Sequence, residues 1–202
     1  YKAGIEKIEV ACEDNDAADQ MDILYSDLLD NITCPQNTAQ AMQFHHALAQ
    51  IVLKFKQGVA SAANTYQIKV KKVTLNDVVL GGTLNITPAA TSTITWSDKK
   101  PAKDYEVDAT DHELTTELTA LKGVMVVPSD PTKVTIVYDI IIDGNTDPNE
   151  VEQTVELQSD PEYTWESGKK YTYNININLK EIEIDPSVVD WVDADSKDLT
   201  IE

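Results

Sequence analysis

The sequence predicts an all-β protein built as an antiparallel β-sandwich, and three observations support this. From Tyr171 to Leu179 every second residue is apolar and the residues between are Thr or Asn, which is the period of a strand with one buried face. Similar short runs recur along the chain, with turn-forming residues between them. No helical stretch is long enough for a crossover between parallel strands. Many short strands joined by turns favour antiparallel sheets packed face to face.

The first forty residues contain little regular pattern. Ile8, Val10 and Cys12 alternate with Glu9 and Ala11 in one short strand. An acidic loop follows it, and then an irregular connector that extends to position 36. This segment makes a poor domain on its own.

The segment 39–58 fits two different periods. Ile51, Leu53 and Phe55 alternate as in a strand. A helical spacing is also present and covers more residues, namely Ala41, Phe44, Leu48, Ile51, Val52 and Phe55. Periodicity alone therefore favours a helix.

The rest of the chain has the pattern of meandering strands. The runs are Tyr66–Leu75, Val78–Ile86, Gly123–Val127, Val134–Ile142, Val151–Leu157, Tyr171–Leu179 and Ile182–Trp191. Asn76-Asp77 and Asp143-Gly144 supply turn dipeptides between them. The acidic tail after Trp191 ends in an alternating pair, Leu199 and Ile201, which fits an edge strand or a free end.

The charge of the chain excludes several classes of function. Its 202 residues include 35 acidic and 16 basic side chains, for a formal net charge of −19. Such a surface repels phosphate backbones and anionic membranes, so we do not expect nucleic acid as a partner. All 16 basic residues are lysine, and the chain holds no cleavage site for an arginine-specific protease. No run approaches the roughly 20 apolar residues of a membrane span. No signal segment opens the chain, which fits either a cytosolic protein or a mature or trimmed form. The abrupt start at Tyr1, straight into a strand-like run, favours trimming.

No catalytic, cofactor or metal site is predicted. His45, His46 and His112 are the only histidines, and a partly buried His beside an exposed one is a simpler interpretation than a metal site. The run 143–149 imitates the start of a calcium loop, but Pro148 and Thr154 replace the Gly and Glu that such a loop needs, which favours a hairpin turn. Glycine-rich and nucleophile motifs are absent.

Two further side-chain sets leave alternatives open. Cys12 and Cys34 are the only cysteines, and one disulfide is an option whose geometry the sequence does not give. Four aromatic residues would make a sugar-stacking platform if exposed and coplanar, but such residues are more often core or strand-end anchors in β-sandwiches. They are Trp96, Tyr105, Tyr163 and Trp165. A hydrolase that uses two carboxylates is a further hypothesis, but no two acidic residues stand in an apolar or charged setting that would mark them as a catalytic pair.

Three degenerate motifs occur in a fixed order over most of the chain. An acidic turn lies at Asp22–Asp27, and an F-x-H-x-L pattern followed by a strand lies within Met42–Phe55. A W-x-x-G-x-x-Y-x-Y strand lies within Thr164–Leu179, and a Trp follows near the end. The pattern positions are Phe44, His46, Leu48, Trp165, Gly168, Tyr171, Tyr173 and Trp191. In this combination the chain resembles the fimbrillins, which are the type V pilins and related surface lipoproteins of Bacteroides-type bacteria.

The resemblance implies a specific fold. It implies strand, short turn and strand around His45–Ala49, in place of the helix that periodicity favours. It also implies two β-sandwich domains of transthyretin-like or immunoglobulin-like type. Residues 1–38 would be the end of the N-terminal β domain and a connector, and residues 39–202 the C-terminal sandwich. The lipidated cysteine and secretion signal of the family are missing, so we expect a proteolytic fragment or a short relative.

The resemblance also implies a function without catalysis or cofactors. Members are exported to the cell surface or outer membrane, lipidated, cleaved after an arginine, and polymerised when an added strand fills a vacated groove, a form of β-augmentation. The expected partners are other pilin subunits or a second copy, and a host or bacterial surface ligand, with membrane contact only through a lipid anchor absent from this chain. Our candidate donor or latch strand contains Val188, Val189, Trp191, Val192, Leu199 and Ile201. The alternative is a surface glycan-binding module or tip adhesin that does not polymerise.

Overall fold

The protein consists of short β-strands throughout the part of the chain that the structure describes. This computed structural model describes residues 7–12, 20–29, 41–58, 66–107, 109, 111–142, 149–158, 164–178 and 182–191. No helix occurs in these ranges, and the predicted all-β class is confirmed. The strands are β1 (Lys7–Ala11), β2 (Leu24–Ser26), β3 (Phe44–His46), β4 (Ala49–Gln57), β5 (Tyr66–Val78), β6 (Gly81–Thr87), β7 (Thr93–Ser97), β8 (Lys103–Val107), β9 (His112–Glu113), β10 (Thr119–Ala120), β11 (Val124–Val126), β12 (Lys133–Ile142), β13 (Asn149–Glu156), β14 (Lys169–Ile177) and β15 (Ile182–Asp190).

Two five-stranded sheets form the main layers. The first sheet has the order β10-β4-β14-β15, and β11 also pairs with β4. The second has the order β13-β12-β5-β8, and β9 also pairs with β5. Phe55 and Tyr173 from the first sheet lie in one buried cluster with Ile68 and Ile136 from the second. The apolar faces of the two sheets are thus removed from water against each other. A three-stranded sheet, β1-β6-β7, and the pair β2-β3 complete the described part.

The described part of segment 39–58 is a strand, a turn and a second strand, and the helical prediction for it is wrong. The chain turns at Ala47 and Leu48 between β3 and β4, as the resemblance implied. β4 lies inside the first sheet, and Val52 is buried on one of its faces while Leu53 and Phe55 are buried on the other. A strand covered on both faces has apolar residues at consecutive positions, which imitates helical spacing.

β14 pairs with its two neighbours in opposite directions. It runs antiparallel to β15 and parallel to β4, with Tyr171 opposite Ile51 and Ile175 opposite Phe55. The other described strand pairs are antiparallel. Side-chain alternation shows which face of a strand is buried but not the direction of its neighbour. The parallel pair therefore has no signature in the sequence.

Trp165 anchors the approach to β14 in the core. Its side chain is fully buried, and its indole Nε1–H donates to the Tyr173 hydroxyl at 2.8 Å.

Two of the other aromatic residues of the predicted sugar-stacking platform also make contacts within the fold. Tyr105 is only 2% exposed, and the Trp96 Nε1–H donates to the Ala47 carbonyl at 3.2 Å. The sugar-stacking platform required exposed aromatic rings and is wrong for Trp165 and Tyr105. The fourth candidate, Tyr163, lies outside the described residues.

The other candidate sites take up separate places in the fold. Cys12 is a buried free thiol whose pKa burial raises to about 11, and Cys34 lies outside the described residues. The calcium-like run 143–148 also lies outside them. His112 lies on β9, away from the two histidines of β3. Within the described ranges, no three His, Cys, Asp or Glu residues form a group that could hold a metal ion.

The N-terminal strand belongs to the common core. β1 pairs with β6, and Val10 and Cys12 join the same buried cluster as the two main sheets. The predicted boundary between the two domains, at position 38, stays a prediction. Among the described residues no helix has the length and apolar character needed to cross a membrane.

Replacing Tyr173 with Phe tests the anchor. Tyr173→Phe should lower the free energy of unfolding by about 1–3 kcal/mol, because the Trp165 indole N–H would stay buried without an acceptor. Urea denaturation followed by tryptophan fluorescence measures this. Tyr66→Phe is the matched control, since the Tyr66 hydroxyl donates to Gly58 at 3.1 Å from a partly buried position, and its loss should cost less. Equal losses in the two variants would contradict the anchor role.

Candidate functional site

The motif segments meet at one corner of the first sheet, which we call the motif corner (residues 44–48, 165–168 and Trp191). Gly168 joins its pieces. The Gly168 N–H donates to the Leu48 carbonyl at 3.0 Å, and the Gly168 carbonyl accepts from the Trp191 N–H at 2.9 Å. The Ser167 hydroxyl adds a bond to the Ala47 carbonyl at 2.7 Å. Residues far apart in the sequence are thus held together by backbone contacts.

Gly168 is required at this corner by its backbone conformation. Its φ is 70°, in the left-handed region that glycine enters without the steric cost of a Cβ. Space is a lesser constraint, since an added Cβ would meet the His46 carbonyl oxygen at 3.4 Å and nothing nearer. The glycine of the motif therefore sets the turn that leads into β14.

His46 and Trp191 form a stacked ring pair. Their centroids are 3.8 Å apart and their planes differ by 5°. The orientation of the His46 ring is also fixed at its edge, because Nδ1 is hydrogen-bonded to the Asp22 carboxylate at 2.8 Å. The acidic turn, the histidine motif and the near-terminal tryptophan are therefore one unit in the folded chain.

Two further motif residues, Leu48 and Tyr171, stabilise the motif corner from the core side. Leu48 is fully buried. The Tyr171 hydroxyl donates to the Thr164 carbonyl at 2.8 Å and accepts from the Glu166 N–H at 2.9 Å. It thereby fixes the loop on both sides of Trp165. The buried motif side chains belong to the core, whereas Phe44 is exposed and His46 and Trp191 are partly buried.

A cavity of about 500 Å³ opens beside the stacked rings. Besides His46 and Trp191, its lining includes Tyr25, Gln43, Phe44, His45, Lys169 and Asp190. Phe44 is 58% exposed, which is high for a large apolar ring. The Tyr25 and His45 rings lie 5.2 Å apart, tilted by 34°. The cavity therefore combines aromatic surface with hydrogen-bonding groups of both kinds.

Each basic group among the described residues that line this cavity has an acidic partner. His45 Nε2 lies 3.1 Å from an Asp27 carboxylate oxygen, and the Lys169 ammonium is paired with Asp190. The backbone N–H of Ser92 donates to the other oxygen of Asp27 at 2.7 Å. This bond, together with that from His45, lowers the pKa of the Asp27 carboxyl. The hydrogen bond to Asp190 raises the pKa of the Lys169 ammonium.

β15 forms an edge of the first sheet next to the motif corner. Its nine residues pair with β14, and no other described strand contacts it in the ladder. Val188 is 50% exposed and Val189 is 55% exposed, although they point to opposite faces. β15 is therefore held mainly from one side.

The hydrogen-bond pattern shows which groups of β15 point outward. The bond between Trp191 N–H and Gly168 carbonyl makes that pair a hydrogen-bonded one, and antiparallel pairs alternate along a ladder. Pro186, opposite Tyr173, falls in a non-hydrogen-bonded pair, so its backbone faces away from β14. Because proline has no N–H, the outer edge of β15 lacks a donor at its middle.

The structure describes only part of the predicted assembly strand. Val188 and Val189 lie in β15 and Trp191 follows it, whereas Val192, Leu199 and Ile201 lie outside the described residues. No pattern in the sequence indicates that Tyr25, Gln43 and His45 share a cavity with Trp191. The one indication in the sequence was that the motifs contain four of the lining residues, namely Phe44, His46, Gly168 and Trp191.

The lowered pKa of the Asp27 carboxyl predicts that this residue stabilises the fold less as the pH becomes acidic. A carboxyl whose pKa in the folded state is below its unfolded value, about 3.9, stabilises the fold above that value and loses this effect as pH falls through the folded pKa. Asp27→Asn keeps an oxygen acceptor for Ser92 but removes the charge. The difference in unfolding free energy between the two proteins should be largest above about pH 5 and shrink as the pH falls below the unfolded pKa of about 3.9 and then through the lower pKa of the folded state.

Urea denaturation at a series of pH values measures that difference. Asp130→Asn, at an exposed position outside the contact, controls for the loss of one negative charge. A difference that is the same at all pH values would contradict the role assigned to the Asp27 carboxylate.

Comparisons with known proteins agree with the motifs. A fimbrial protein from Bacteroides vulgatus ATCC 8482 is similar in structure with a TM-score of 0.60, at 20% identity over 92% of this chain and 67% of that chain. A protein from Bacteroides uniformis ATCC 8492 assigned to cell adhesion has a TM-score of 0.58, at 15% identity over 94% of this chain and 68% of that chain. At these identities the likeness concerns the fold, and this chain spans about two thirds of the length of both structures.

Sequence comparison gives the family. No curated protein matches this chain. The model of the fimbrillin-like proteins matches residues 2–191, a range that contains the acidic turn, both strand motifs and Trp191. The chain belongs to the fimbrillin-like family.

Proposed function

We propose that this protein is a non-enzymatic subunit of a cell-surface fimbria, or a fimbrillin-like adhesion protein, whose subunits join by β-strand addition. Its family and the fold that it shares with a fimbrial protein support a structural role. The proposed partners are other pilin subunits or a second copy of this chain. Attachment to the outer membrane through a lipid anchor is part of the proposal.

The observation that carries the proposal is that β15 is fully paired on one side while two of its side chains are half exposed. This strand makes a full ladder with β14, yet Val188 and Val189 on its two faces remain about half exposed. An identical strand from a second subunit would make the same main-chain hydrogen bonds to β14, so exchange has little net cost in contacts. A strand that is well paired, and whose Val188 and Val189 are half exposed, is thus suited to be a donor or latch.

Pro186 limits how a second subunit would add its strand. A partner pairing with the outer edge of β15 would lack a donor at Pro186, which is how natural sheets protect an edge. The edge of β14 has no such interruption along Lys169–Ile177. We therefore assign β14 as the acceptor edge and β15, with the residues that follow it, as the exchanged element.

A disulfide between β14 and β15 tests the exchange. Lys169 and Asp190 lie opposite each other in a non-hydrogen-bonded pair, where Cα atoms are about 4.5 Å apart and a disulfide is geometrically allowed. A Lys169→Cys, Asp190→Cys variant carrying Cys34→Ser should stay monomeric when oxidised and form oligomers when reduced. Size-exclusion chromatography with light scattering measures both states.

The reduced form of this variant is its own matched control, because it has the same sequence and differs only in the cross-link. Cys12 is buried and does not compete for the new bond. Oligomers of equal size in both states would contradict β15 as the exchanged strand. Monomers in both states, and in the unmodified chain, would favour an adhesion protein that does not polymerise.

Truncation tests the predicted extension of the donor strand. Removal of residues 198–202 deletes Leu199 and Ile201, whose alternating side chains would fill pockets of the acceptor. Self-association should weaken while the urea midpoint of the monomer stays unchanged. Unchanged oligomerisation would contradict a role for these residues in assembly.

A second candidate, an adhesion protein that binds a surface ligand without polymerising, is favoured by one observation. The cavity at the motif corner presents Phe44 with 58% of its surface exposed, beside paired charges. An open aromatic cavity of this kind suits ligand binding more than assembly.

A further inference from the structure

We propose that the cavity beside the His46–Trp191 stack binds a neutral sugar residue. The inference does not depend on strand addition, because it concerns the occupancy of the cavity and not the exchange of β15. It assigns a ligand class to a site that the motifs and the comparisons leave without one.

The size of the cavity fits a small ligand. Its volume is about 500 Å³, and ligand pockets commonly measure roughly 300 to 1,000 Å³. Its walls come from β2, β3, the loop before β14 and the end of β15. A cavity walled by four separate segments keeps its shape only if they are fixed to one another.

Those segments are fixed before any ligand arrives. The Trp191 indole is held by the stack on His46, and the His46 ring is held by Asp22. The Trp191 backbone is bonded to Gly168. A binding site with its rings already in place loses less conformational entropy when a ligand binds.

Aromatic surface supplies the apolar half of sugar recognition. The Phe44 ring is exposed, and Trp191 and Tyr25 also line the cavity. The faces of aromatic rings are electron-rich, and the C–H faces of a pyranose ring are weakly electropositive. A sugar residue can therefore pack on a ring with its C–H face while its hydroxyl groups point to the sides.

Polar side chains supply the other half. Gln43 carries an amide that both donates and accepts, and Lys169 and Asp190 bring a donor and an acceptor to the same wall. Hydroxyl groups of a sugar also donate and accept, so they match this mixture. A purely apolar ligand would take water away from these groups and offer them no hydrogen bond in return.

The charges favour a neutral ligand. Among the described residues that line the cavity, the basic ones are His45, His46 and Lys169. Each is paired with an aspartate, namely Asp27, Asp22 and Asp190, so none of these three is left to neutralise an anion from the ligand. The net charge of −19 on the chain adds long-range repulsion against acidic sugars and phosphates.

Tryptophan indole signals in ¹H–¹⁵N NMR spectra test the proposal on the intact chain. The probes are glucose, galactose, mannose and N-acetylglucosamine, with N-acetylneuraminic acid as the acidic counterpart. At least one neutral sugar should shift the Trp191 indole signal in a saturable way. The signal of Trp165, which is fully buried, is the internal control and should not move.

Two variants locate the binding. Phe44→Ala should weaken binding of the sugar at least about fivefold, the scale of one ring contact. Gln43→Ala, at an exposed position, should also weaken it and serves as the test if Phe44→Ala does not fold. Leu118→Ala is the matched control, because Leu118 is 43% exposed and does not line the cavity.

Three results would overturn the proposal. They are no shift of Trp191 with any neutral sugar, stronger binding of the acidic sugar than of the neutral ones, or equal weakening by Leu118→Ala. Light scattering on the same samples reports strand exchange separately, so a failure of sugar binding leaves the assembly proposal standing, and the reverse also holds.

Discussion

The structure depends on the two backbone hydrogen bonds of Gly168. Its N–H is bonded to Leu48 and its carbonyl to Trp191, so β14 enters the first sheet in a set register with β4 on one side and β15 on the other. Side chains alternate along a strand, and a slip of one residue would turn Tyr171 and Tyr173 from the core to the opposite face. The buried Trp165, bonded to Tyr173, stabilises the same register from the core.

This junction also brings the proposed assembly and binding surfaces together. Trp191 follows β15, the strand proposed to exchange, and forms a wall of the cavity with His46. Removal of β15 would take Trp191 and Asp190 away from the cavity. A strand supplied by a second copy would bring the same residues back. Assembly and ligand binding would therefore involve the same side chains without excluding each other.

Sequence patterns predicted the local elements well wherever one face is buried and the other is not. The alternation from Tyr171 onward describes β14, whose Tyr173 and Ile175 are fully buried. The same method predicted a helix for the segment that contains β4, because Val52 is buried along with its neighbours. Val52 is buried on the face opposite Leu53 and Phe55, which interrupts the period of two. The alternation of Ile51, Leu53 and Phe55 covered fewer residues than the helical spacing, and the resemblance to a family is what favoured the strand.

By itself the sequence determined the strand content and the acidic surface without arginine. These are local properties of composition and side-chain period. Tertiary structure alone decided that β4 and β14 run parallel and that His46 stacks on Trp191. Strand direction and contacts between distant residues depend on how the whole chain closes around one core, and no local pattern carries that information.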